Sequence, residues 1–333
     1  MSRFEKSLVL IRGKLRLAAL FTLVTGAFFL LPACADKPTL LRVGTNIWPG
    51  YECLYLARSL GQYDPARIRL VEYPSASAVI RAYRNGAIEA AAVTMDEALL
   101  LVEQRQAGVM TLIMDVSEGA DVIMAKPGIG SIAELKGKKV GVETGALGAY
   151  MLTRALNYKK MSLYDIHVVP LEHNEHERAY LEGKVDALVT FEPVTTRLKK
   201  AGGRILFDSA MIPEEIVDVL VVRQEVLEEQ NESVLSLFQG WFYALEYLKK
   251  NPKDAAKRMA ARENISPEEL LQLLKGIRFP DINENLVMLS GEDPSFRKTV
   301  GMLSDIMYTN KILFYRMDPN PLVTSSVIEQ MVE

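Results

Sequence analysis

The chain has 333 residues, of which 39 are basic, 42 are acidic and two are cysteines, so its formal net charge is −3. This length is enough for two packed lobes. The slightly acidic balance argues against a surface that binds nucleic acid, and two cysteines cannot form the disulfide framework of a small secreted domain.

The first 33 residues have the pattern of a bacterial secretory signal. Five basic residues lie within positions 1–16, and an uncharged apolar run of 15 residues follows at 17–31. That run is shorter than the about 20 residues that a membrane-spanning helix needs. Cys34 directly follows the small residue Ala33, which resembles a lipobox, whose cysteine carries lipid. We therefore expect 1–33 to be a lipoprotein signal peptide and Cys34 to be lipidated, with inner and outer membrane both open as the site of anchoring.

Cysteines and histidines are too few for a clear metal site. Removal of 1–33 would leave 34 basic against 41 acidic residues, a formal charge of −7, with Cys53 as the one thiol besides Cys34. The apolar neighbours of Cys53 predict a buried core position. His173 and His176 have the i, i+3 spacing of metal ligands on a helix, but the sequence offers no clear third ligand. The chain is therefore expected to hold neither a metal nor a cofactor.

Strands and helices alternate along the first part of the mature chain. Strands are predicted at 40–45, 68–73 and 90–94, with helices that end near residue 60 and cover 78–85 and 96–106. Alternation at this spacing predicts a parallel, doubly wound α/β sheet.

The same succession recurs 97 residues later. Arg81-Ala82-Tyr83 with Gly86 matches Arg178-Ala179-Tyr180 with Gly183, and Val43-Gly44 matches Val140-Gly141. An offset of 97 exceeds the repeats of about 20–50 residues that build solenoids. It predicts two similar α/β lobes whose equivalent strands end at a shared cleft, and such a cleft indicates a small-molecule ligand.

The later part of the chain returns to the first lobe. Crossings between the lobes are predicted near 117–121 and 216–222, and helices are predicted after residue 234 that pack on the first lobe. The expected organisation is a signal peptide at 1–33, a first lobe at 34–119 plus 220–333 that includes the C-terminal helices, and a second lobe at 120–219.

Polar residues at strand ends are the candidate ligand contacts, because open α/β sheets bind ligands at the carboxyl ends of their strands. Asp96 and Glu192 are predicted to be facing strand tips, where they could pair with a cation or ring amine or could cap the next helix. Ser77 and Asn174 begin corresponding helices, whose free N–H groups suit an anionic or carbonyl-bearing ligand. Each of these two residues could also serve only as a cap.

Two aromatic residues lie at the mouth of the first predicted strand. Trp48 and Tyr51 share a loop with Pro49 and Gly50. Exposed aromatic side chains on such a loop are expected to stack on a planar or alkyl ligand, and the alternative is that they fill the rim of the lobe.

Three stretches carry a family resemblance: VGTNIWPGY at 43–51, LKGKKVGV at 135–142, and GKVDA at 183–187 followed by Phe191-Glu192-Pro193. In combination they resemble the periplasmic solute-binding proteins of ABC importers for nitrate, sulfonates, taurine and thiamine pyrimidine precursors. The resemblance implies the type II periplasmic-binding-protein fold, with two doubly wound α/β lobes, a two-crossing hinge and, in this chain, a helical C-terminal extension. The resemblance also implies ligand contacts at Trp48, Tyr51, Ser75, Ser77, Thr94, Thr144, Gly145 and Glu192.

The function implied by the resemblance is that of a lipid-anchored, monomeric substrate-binding protein at the periplasmic or cell-surface face of a membrane. It would capture a small solute by hinge closure and deliver it to an ABC permease and ATPase. Enzymatic activity is not expected, because the sequence lacks the cysteine-rich motif of the pyrimidine-synthase branch. The alternatives are a sensory lipoprotein that presents a metabolite to a membrane receptor and a pyrimidine-precursor synthase-like enzyme.

The chemistry of the ligand stays open between two classes. Few basic residues lie near the predicted strand ends, which argues against a bare doubly charged oxyanion. A sulfonate held by backbone N–H groups and an amino-heterocycle held by Glu192 and the aromatic side chains both fit the sequence.

Overall fold

The computed structural model describes residues 40–103, 108–145, 147–290 and 295–333, and the predicted signal segment 1–33 and lipidation site Cys34 lie outside them. The strands are β1 (Leu41–Asn46), β2 (Ile68–Tyr73), β3 (Ala90–Thr94), β4 (Gly108–Ser117), β5 (Asp121–Ala125), β6 (Lys139–Val142), β7 (His167–Pro170), β8 (Ala187–Phe191), β9 (Arg204–Asp208), β10 (Val217–Arg223) and β11 (Ile277–Arg278).

The α-helices of the same residues are α1 (Glu52–Ser59), α2 (Ala76–Arg84), α3 (Met95–Glu103), α4 (Leu147–Tyr158), α5 (His176–Leu181), α6 (Val194–Lys200), α7 (Gln224–Glu229), α8 (Asn231–Lys250), α9 (Pro252–Glu263), α10 (Pro267–Leu273), α11 (Ile282–Ser290), α12 (Ser295–Thr309) and α13 (Ser326–Val332). None of these described helices combines the length and the apolar run that crossing a bilayer requires.

The described strands form two mixed sheets. The first has the order β11-β4-β10-β3-β1-β2, and the second has the order β7-β6-β8-β5-β9. β1 runs parallel to β2 and β3, and β6 runs parallel to β7 and β8, as the alternation of elements predicts. A purely parallel sheet is wrong, however, because β10 is antiparallel to β3 and β4, and β5 is antiparallel to β8. The chain enters β5 and β10 directly from the other sheet, on the side of the sheet where the carboxyl ends of the parallel strands lie.

The 97-residue repeat is reproduced in the register of the two sheets. Val43 of β1 pairs with Ala90 of β3, and Val140 of β6 pairs with Ala187 of β8. Both members of the second pair therefore lie 97 residues after their counterparts in the first. The two sheets are built from the same parallel unit, and the predicted pair of similar lobes is confirmed.

Two short segments carry the chain between the sheets. The first is 118–120, between β4 and β5, and the second is 209–216, between β9 and β10. Ser209 joins them, because its hydroxyl oxygen accepts a hydrogen bond from the Gly119 N–H at 2.7 Å and lies 2.8 Å from the Ser117 hydroxyl.

The return crossing predicted at 216–222 is wrong. Residues 217–223 form β10, which lies inside the first sheet and is paired on both sides, so the crossing precedes it. The apolar run that the sequence shows there fits a central strand equally well. The division of the chain into lobes at 119/120 and 219/220 stays a prediction, and the second boundary falls within β10.

The C-terminal helices pack on the lobe that holds the first sheet, as predicted. α8 contacts α1 and α13, and α11 contacts β4. Asn285 of α11 fixes this contact, because its side-chain oxygen accepts the Ile113 N–H at 2.7 Å and its amide donates to the Ile113 carbonyl at 3.1 Å. Cys53 is fully buried in the core, as its apolar neighbours predict, and burial raises the pKa of its thiol.

Candidate ligand-binding site

A small cavity of about 30 Å³ lies where strand ends of both sheets meet. This is the position at which open α/β sheets bind ligands. The residues that line it come from both halves of the repeat and from β5 and β10, the strands that directly follow the two crossings between the sheets. They are Asn46, Trp48, Tyr51, Ala76, Thr94, Glu97, Asp121, Glu143, Leu147, Gly148, His176, Val189, Thr190, Phe191 and Asp218.

Direct hydrogen bonds join the two lobes around this cavity. The Ser77 N–H donates to Glu143 Oε1 at 2.7 Å, and the Leu147 N–H donates to Glu97 Oε1 at 3.0 Å. The Ser75 hydroxyl donates to Glu172, a residue of the second lobe. A cavity of this volume holds roughly two water molecules, so an organic solute requires the lobes to separate.

Both loop aromatics are buried rather than exposed. Trp48 is 4% and Tyr51 is 2% exposed, which corrects the expectation of exposed side chains. The Trp48 indole N–H donates to Asp115 Oδ2 at 3.2 Å, and the Tyr51 hydroxyl donates to Asp218. The loop turns inward because each ring can bury its apolar body while its polar group finds a carboxylate. Both side chains line the cavity.

Phe191 connects the aromatic side chains of the two lobes. Its ring meets Trp48 edge-on, with centroids 5.5 Å apart, and stacks on His173 at 4.1 Å with an interplanar angle of 6°. Both contacts have geometries that aromatic pairs favour. The end of β8 therefore presents an aromatic wall to the cavity.

Four carboxylates line the cavity: Glu97, Asp121, Glu143 and Asp218. Burial is the main cause that raises the pKa of each, to about 8 for Glu97 and about 7 for Asp121. Asp218 also faces the carboxylate of Asp115 across the β10–β4 pairing, which raises its pKa further. Among the described lining residues there is no lysine or arginine to offset these acids.

The two neighbouring histidines are neutral at physiological pH. Burial lowers the pKa of His173 to about 4 and that of His176 to about 3. His176 Nδ1 lies 3.1 Å from the Thr190 hydroxyl, and Nε2 has no hydrogen-bond partner in the described chain. No group of three or more His, Cys, Asp or Glu side chains in the part of the chain that is described could hold a metal ion.

The structure brings only part of the predicted site together. Thr94 lines the cavity with the two aromatics. Ser75 and Ser77 are buried at the contact between the lobes, and Ser75 also caps α2 by accepting the Ala78 N–H at 3.2 Å.

The other predicted contacts lie away from the lining. Glu192 accepts the Thr196 N–H at 2.9 Å and so caps the start of α6, which is the alternative that the sequence left open. Asp96 is buried, with its pKa raised to about 6, but the described lining does not include it. Thr144 and Gly145 are exposed.

Asn174 belongs to a different surface. It is exposed and lines a groove of about 690 Å³ together with Arg197 and Arg262. Both arginines are already paired, Arg197 with Glu177 at 2.7 Å and Arg262 with Glu52 at 3.1 Å.

Four acidic lining residues escaped the sequence-based prediction, and one signal could have found two of them. Asp121 and Asp218 are acidic residues at the start of otherwise apolar strands, while Glu97 and Glu143 come shortly after the ends of β3 and β6. An isolated charge in a buried strand is costly unless it is paired or has a function. An acidic residue in an otherwise apolar strand is therefore a candidate site residue, as a polar residue at a strand end is.

A family model described as NMT1/THI5 like matches residues 48–255. A "putative binding protein" of Brucella abortus is 26% identical over 140 residues, which cover 41% of this chain and 44% of that protein. A "Putative aliphatic sulfonates-binding protein" of Escherichia coli is 28% identical over 203 residues, which cover 59% of this chain and 61% of that protein. The matches thus span less than two thirds of the length of these curated relatives.

Solved structures share the fold over nearly the whole described chain. The alkanesulfonate-binding protein SsuA from Xanthomonas axonopodis pv. citri, bound to MOPS, has a TM-score of 0.75 at 19% identity and covers 87% of this chain and 99% of its own. The desulfurization enzyme DSZB has a TM-score of 0.63 at 15% identity and covers 88% of this chain and 99% of its own. The fold of the chain is therefore that of SsuA-type periplasmic binding proteins, and this fold also occurs in an enzyme.

Proposed function

The chain belongs to the NMT1/THI5 like family, and from this premise we propose that it is the solute-binding protein of an ABC importer. It captures one small solute between its lobes and delivers it to a permease and its ATPase. The relatives named as binding proteins support this role.

One observation carries the proposal, namely the meeting of two duplicated lobes around a buried cavity that is lined by aromatic side chains and four carboxylates. The bonds from the Ser77 N–H to Glu143 and from the Leu147 N–H to Glu97 exist only while the lobes are together. A solute that bridges both lobes would add its own contacts to these bonds and favour the closed state. The crossing segments 118–120 and 209–216 are the proposed hinge.

The experiment measures the distance between the lobes. Spin labels at Tyr164→Cys in the second lobe and Tyr243→Cys in the first use exposed positions, and a Cys34→Ser background leaves Cys53, whose thiol is buried. The full-length protein is screened by thermal unfolding against nitrate, taurine, alkyl sulfonates and aminopyrimidines. A stabilising solute is expected to narrow the distance distribution to one short distance. A solute that stabilises the protein without changing this distance would contradict capture by closure.

The proposal includes a lipid anchor at Cys34 and a location on the periplasmic side of a membrane. The basic residues before position 17, the apolar run at 17–31 and the Ala33-Cys34 junction support it. Mass spectrometry of the N-terminal peptide is expected to find a lipidated Cys34, and Cys34→Ser is expected to release the protein from the membrane fraction. A Cys34→Ser variant that stays in the membrane fraction would contradict the anchor.

Sensing and catalysis are the alternatives for the same cleft. Neighbouring permease and ATPase genes would support import, and a neighbouring histidine kinase or cyclase gene would support sensing. Catalysis has less support, because the described residues of the cavity include no lysine or cysteine nucleophile.

A further inference from the structure

The acidic lining of the cavity has unused hydrogen-bonding capacity. Asp121 is 2% exposed and lines the cavity, yet its Oδ2 has no hydrogen-bond partner in the described chain. Thr94 Oγ1 and His176 Nε2 are also buried, face the same cavity and lack a partner there. Buried polar atoms are rarely left unpaired without a reason, and a ligand is one such reason.

Three of the backbone donors that could hold an anion are already occupied by carboxylates. Glu97 accepts the N–H groups of Thr94 at 3.0 Å and of Leu147 at 3.0 Å, at the starts of α3 and α4. Glu143 accepts the Ser77 N–H at 2.7 Å, in the first turn of α2. These are the helix N-termini at which a sulfonate would be expected to bind. An anion at these three N–H groups would have to displace two carboxylates and would then lie next to them.

Cationic side chains do not offset the acids of the cavity. The described lining holds four carboxylates without a lysine or arginine, and the two adjacent histidines are neutral. Burial raises the pKa of Glu97 to about 8 and that of Asp121 to about 7, so these acids lose their protons more readily when a cation lies beside them. The site therefore favours a ligand that brings positive charge. A metal ion is a poor match, because no group of three metal-ligating side chains was found among the described residues.

We propose that the cleft takes a small organic cation with N–H donors, such as a protonated amine or an amidinium, and that Asp121 is its main partner. This inference rests on the proposed solute-binding function and assigns its substrate class. The cation would donate to Asp121 Oδ2 and to Thr94 Oγ1, while Trp48 and Phe191 line the cavity and can contribute cation–π contacts. Asp218 lines the same cavity and pairs across the strands with Asp115, so a second acid lies at the site.

The test compares cations and anions on the full-length protein. Isothermal titration and the inter-lobe distance measurement are carried out with ethylammonium, guanidinium and benzamidinium chloride, and separately with sodium nitrate and ethanesulfonate. Asp121→Asn keeps the size of the side chain and removes its charge, and Asp305→Asn is the matched control, since Asp305 is an exposed residue paired with Arg316. Circular dichroism and thermal unfolding establish that both variants fold.

We expect at least one of the three cations to bind saturably, and Asp121→Asn to weaken that binding by about tenfold or more, as loss of a charged hydrogen bond does. Asp305→Asn should leave the affinity within about twofold, a change of less than 1 kcal/mol. The inference would be overturned if none of the three cations binds, whether or not an anion does. It would also be overturned if a cation binds and Asp121→Asn leaves its affinity unchanged.

The outcomes separate this inference from the proposed function. Anion binding that shortens the inter-lobe distance would overturn the cationic ligand class and leave solute capture intact. Cation binding that depends on Asp121 but leaves the inter-lobe distance unchanged would support the ligand class and contradict capture by closure.

Discussion

The carboxylate of Glu97 accepts a hydrogen bond of 3.0 Å from the backbone N–H of Leu147 and so ties the first lobe to the first residue of α4 in the second. Its other oxygen accepts the Thr94 N–H at 3.0 Å, which fixes the side chain at the end of β3. A single acidic side chain thus bridges the two lobes from the base of the cavity that they enclose.

Glu97→Ala is expected to open the lobes of the solute-free protein. The substitution removes both acceptors and leaves the Leu147 N–H without its partner, a change that typically costs about 1–3 kcal/mol. The spin-label distance between positions 164 and 243 should become longer and more broadly distributed. Glu97→Gln retains one acceptor oxygen and should give an intermediate distribution.

Glu229→Ala is the matched control for Glu97→Ala, because Glu229 is exposed at the end of α7. It should leave the distance distribution of the native protein unchanged. An unchanged distribution in Glu97→Ala would mean that the other contacts between the lobes suffice for closure.

Stability is expected to fall as the pH rises from 6.5 to 8. Burial raises the pKa of Glu97 to about 8 and the pKa values of Asp115 and Asp121 to about 7, above ordinary values near 4. The folded state therefore binds more protons than the unfolded state in this window, and its stability declines as those protons are lost. Urea unfolding at several pH values measures this slope.

The buried histidines act in the opposite direction at lower pH. The pKa values of His173 and His176 are lowered from 6.5, so their contribution to the free energy of unfolding is complete above pH 6.5 and is lost as the pH falls toward 4.

Glu97→Gln should make the fall in stability between pH 6.5 and 8 less steep. A free energy of unfolding that is constant over that window in the native protein would show that these carboxylates are already ionised there.

Trp48→Ala is expected to weaken binding of the captured solute by about tenfold, because it removes an aromatic wall of the cavity and the contact with Phe191. Trp48→Phe keeps an aromatic ring and loses the N–H that Asp115 accepts, so its affinity should lie between those of Trp48→Ala and the native protein. Equal affinities of the native protein and Trp48→Ala would rule out a stacking role.

Arg278 is expected to stiffen the proposed hinge, because it binds both crossing segments. Its guanidinium contacts Glu118 at 3.1 Å and Glu214 at 3.0 Å. Arg278→Met should broaden the inter-lobe distance distribution of the solute-free protein, while its stability falls by less than about 1 kcal/mol because these pairs are partly exposed. Arg316→Met removes an exposed pair elsewhere and should leave the distribution unchanged.

Gly141→Ala is expected to destabilise the second lobe. A Cβ at this position would lie 2.8 Å from both Leu171 Cδ1 and Leu188 Cδ1, and overpacking of this kind costs about 1–3 kcal/mol. Gly301→Ala in α12 is the matched control, because a Cβ there meets nothing within 4 Å and alanine favours a helix by up to about 1 kcal/mol. Chemical unfolding should therefore show a lower free energy of unfolding for Gly141→Ala and a higher one for Gly301→Ala. A Gly141→Ala variant that is more stable than the native protein would contradict the packing argument.

Local patterns predicted much of the fold. The 97-residue offset predicted the second lobe, and the register of Val140 with Ala187 repeats that of Val43 with Ala90. Such patterns succeed because adjacent parallel strands and the helix between them are set by nearby residues. β10 shows the limit, since its apolar run fits a crossing or a central strand, and only its pairing with β3 and β4 decides between them.

The candidate site was predicted less well, because it depends on residues far apart in the chain. At the 97-residue offset, Glu192 matches Met95 rather than Asp96, so the two acids are not equivalent strand tips. Glu192 caps α6 instead, and the acids that reach the cavity include Asp121 and Asp218, which follow the two crossings.

The sequence by itself determined that the chain contains two similar α/β lobes, since repeated strand, helix and glycine positions are local features with a constant spacing. Only the tertiary structure decided which side chains meet between the lobes. It turned Trp48 and Tyr51 inward and placed Asp218 beside Asp115 and opposite Thr94. The carboxylates that Trp48 and Tyr51 reach lie on β4 and on β10, and β10 enters the first sheet from the other lobe between β3 and β4, a relationship that no local pattern encodes.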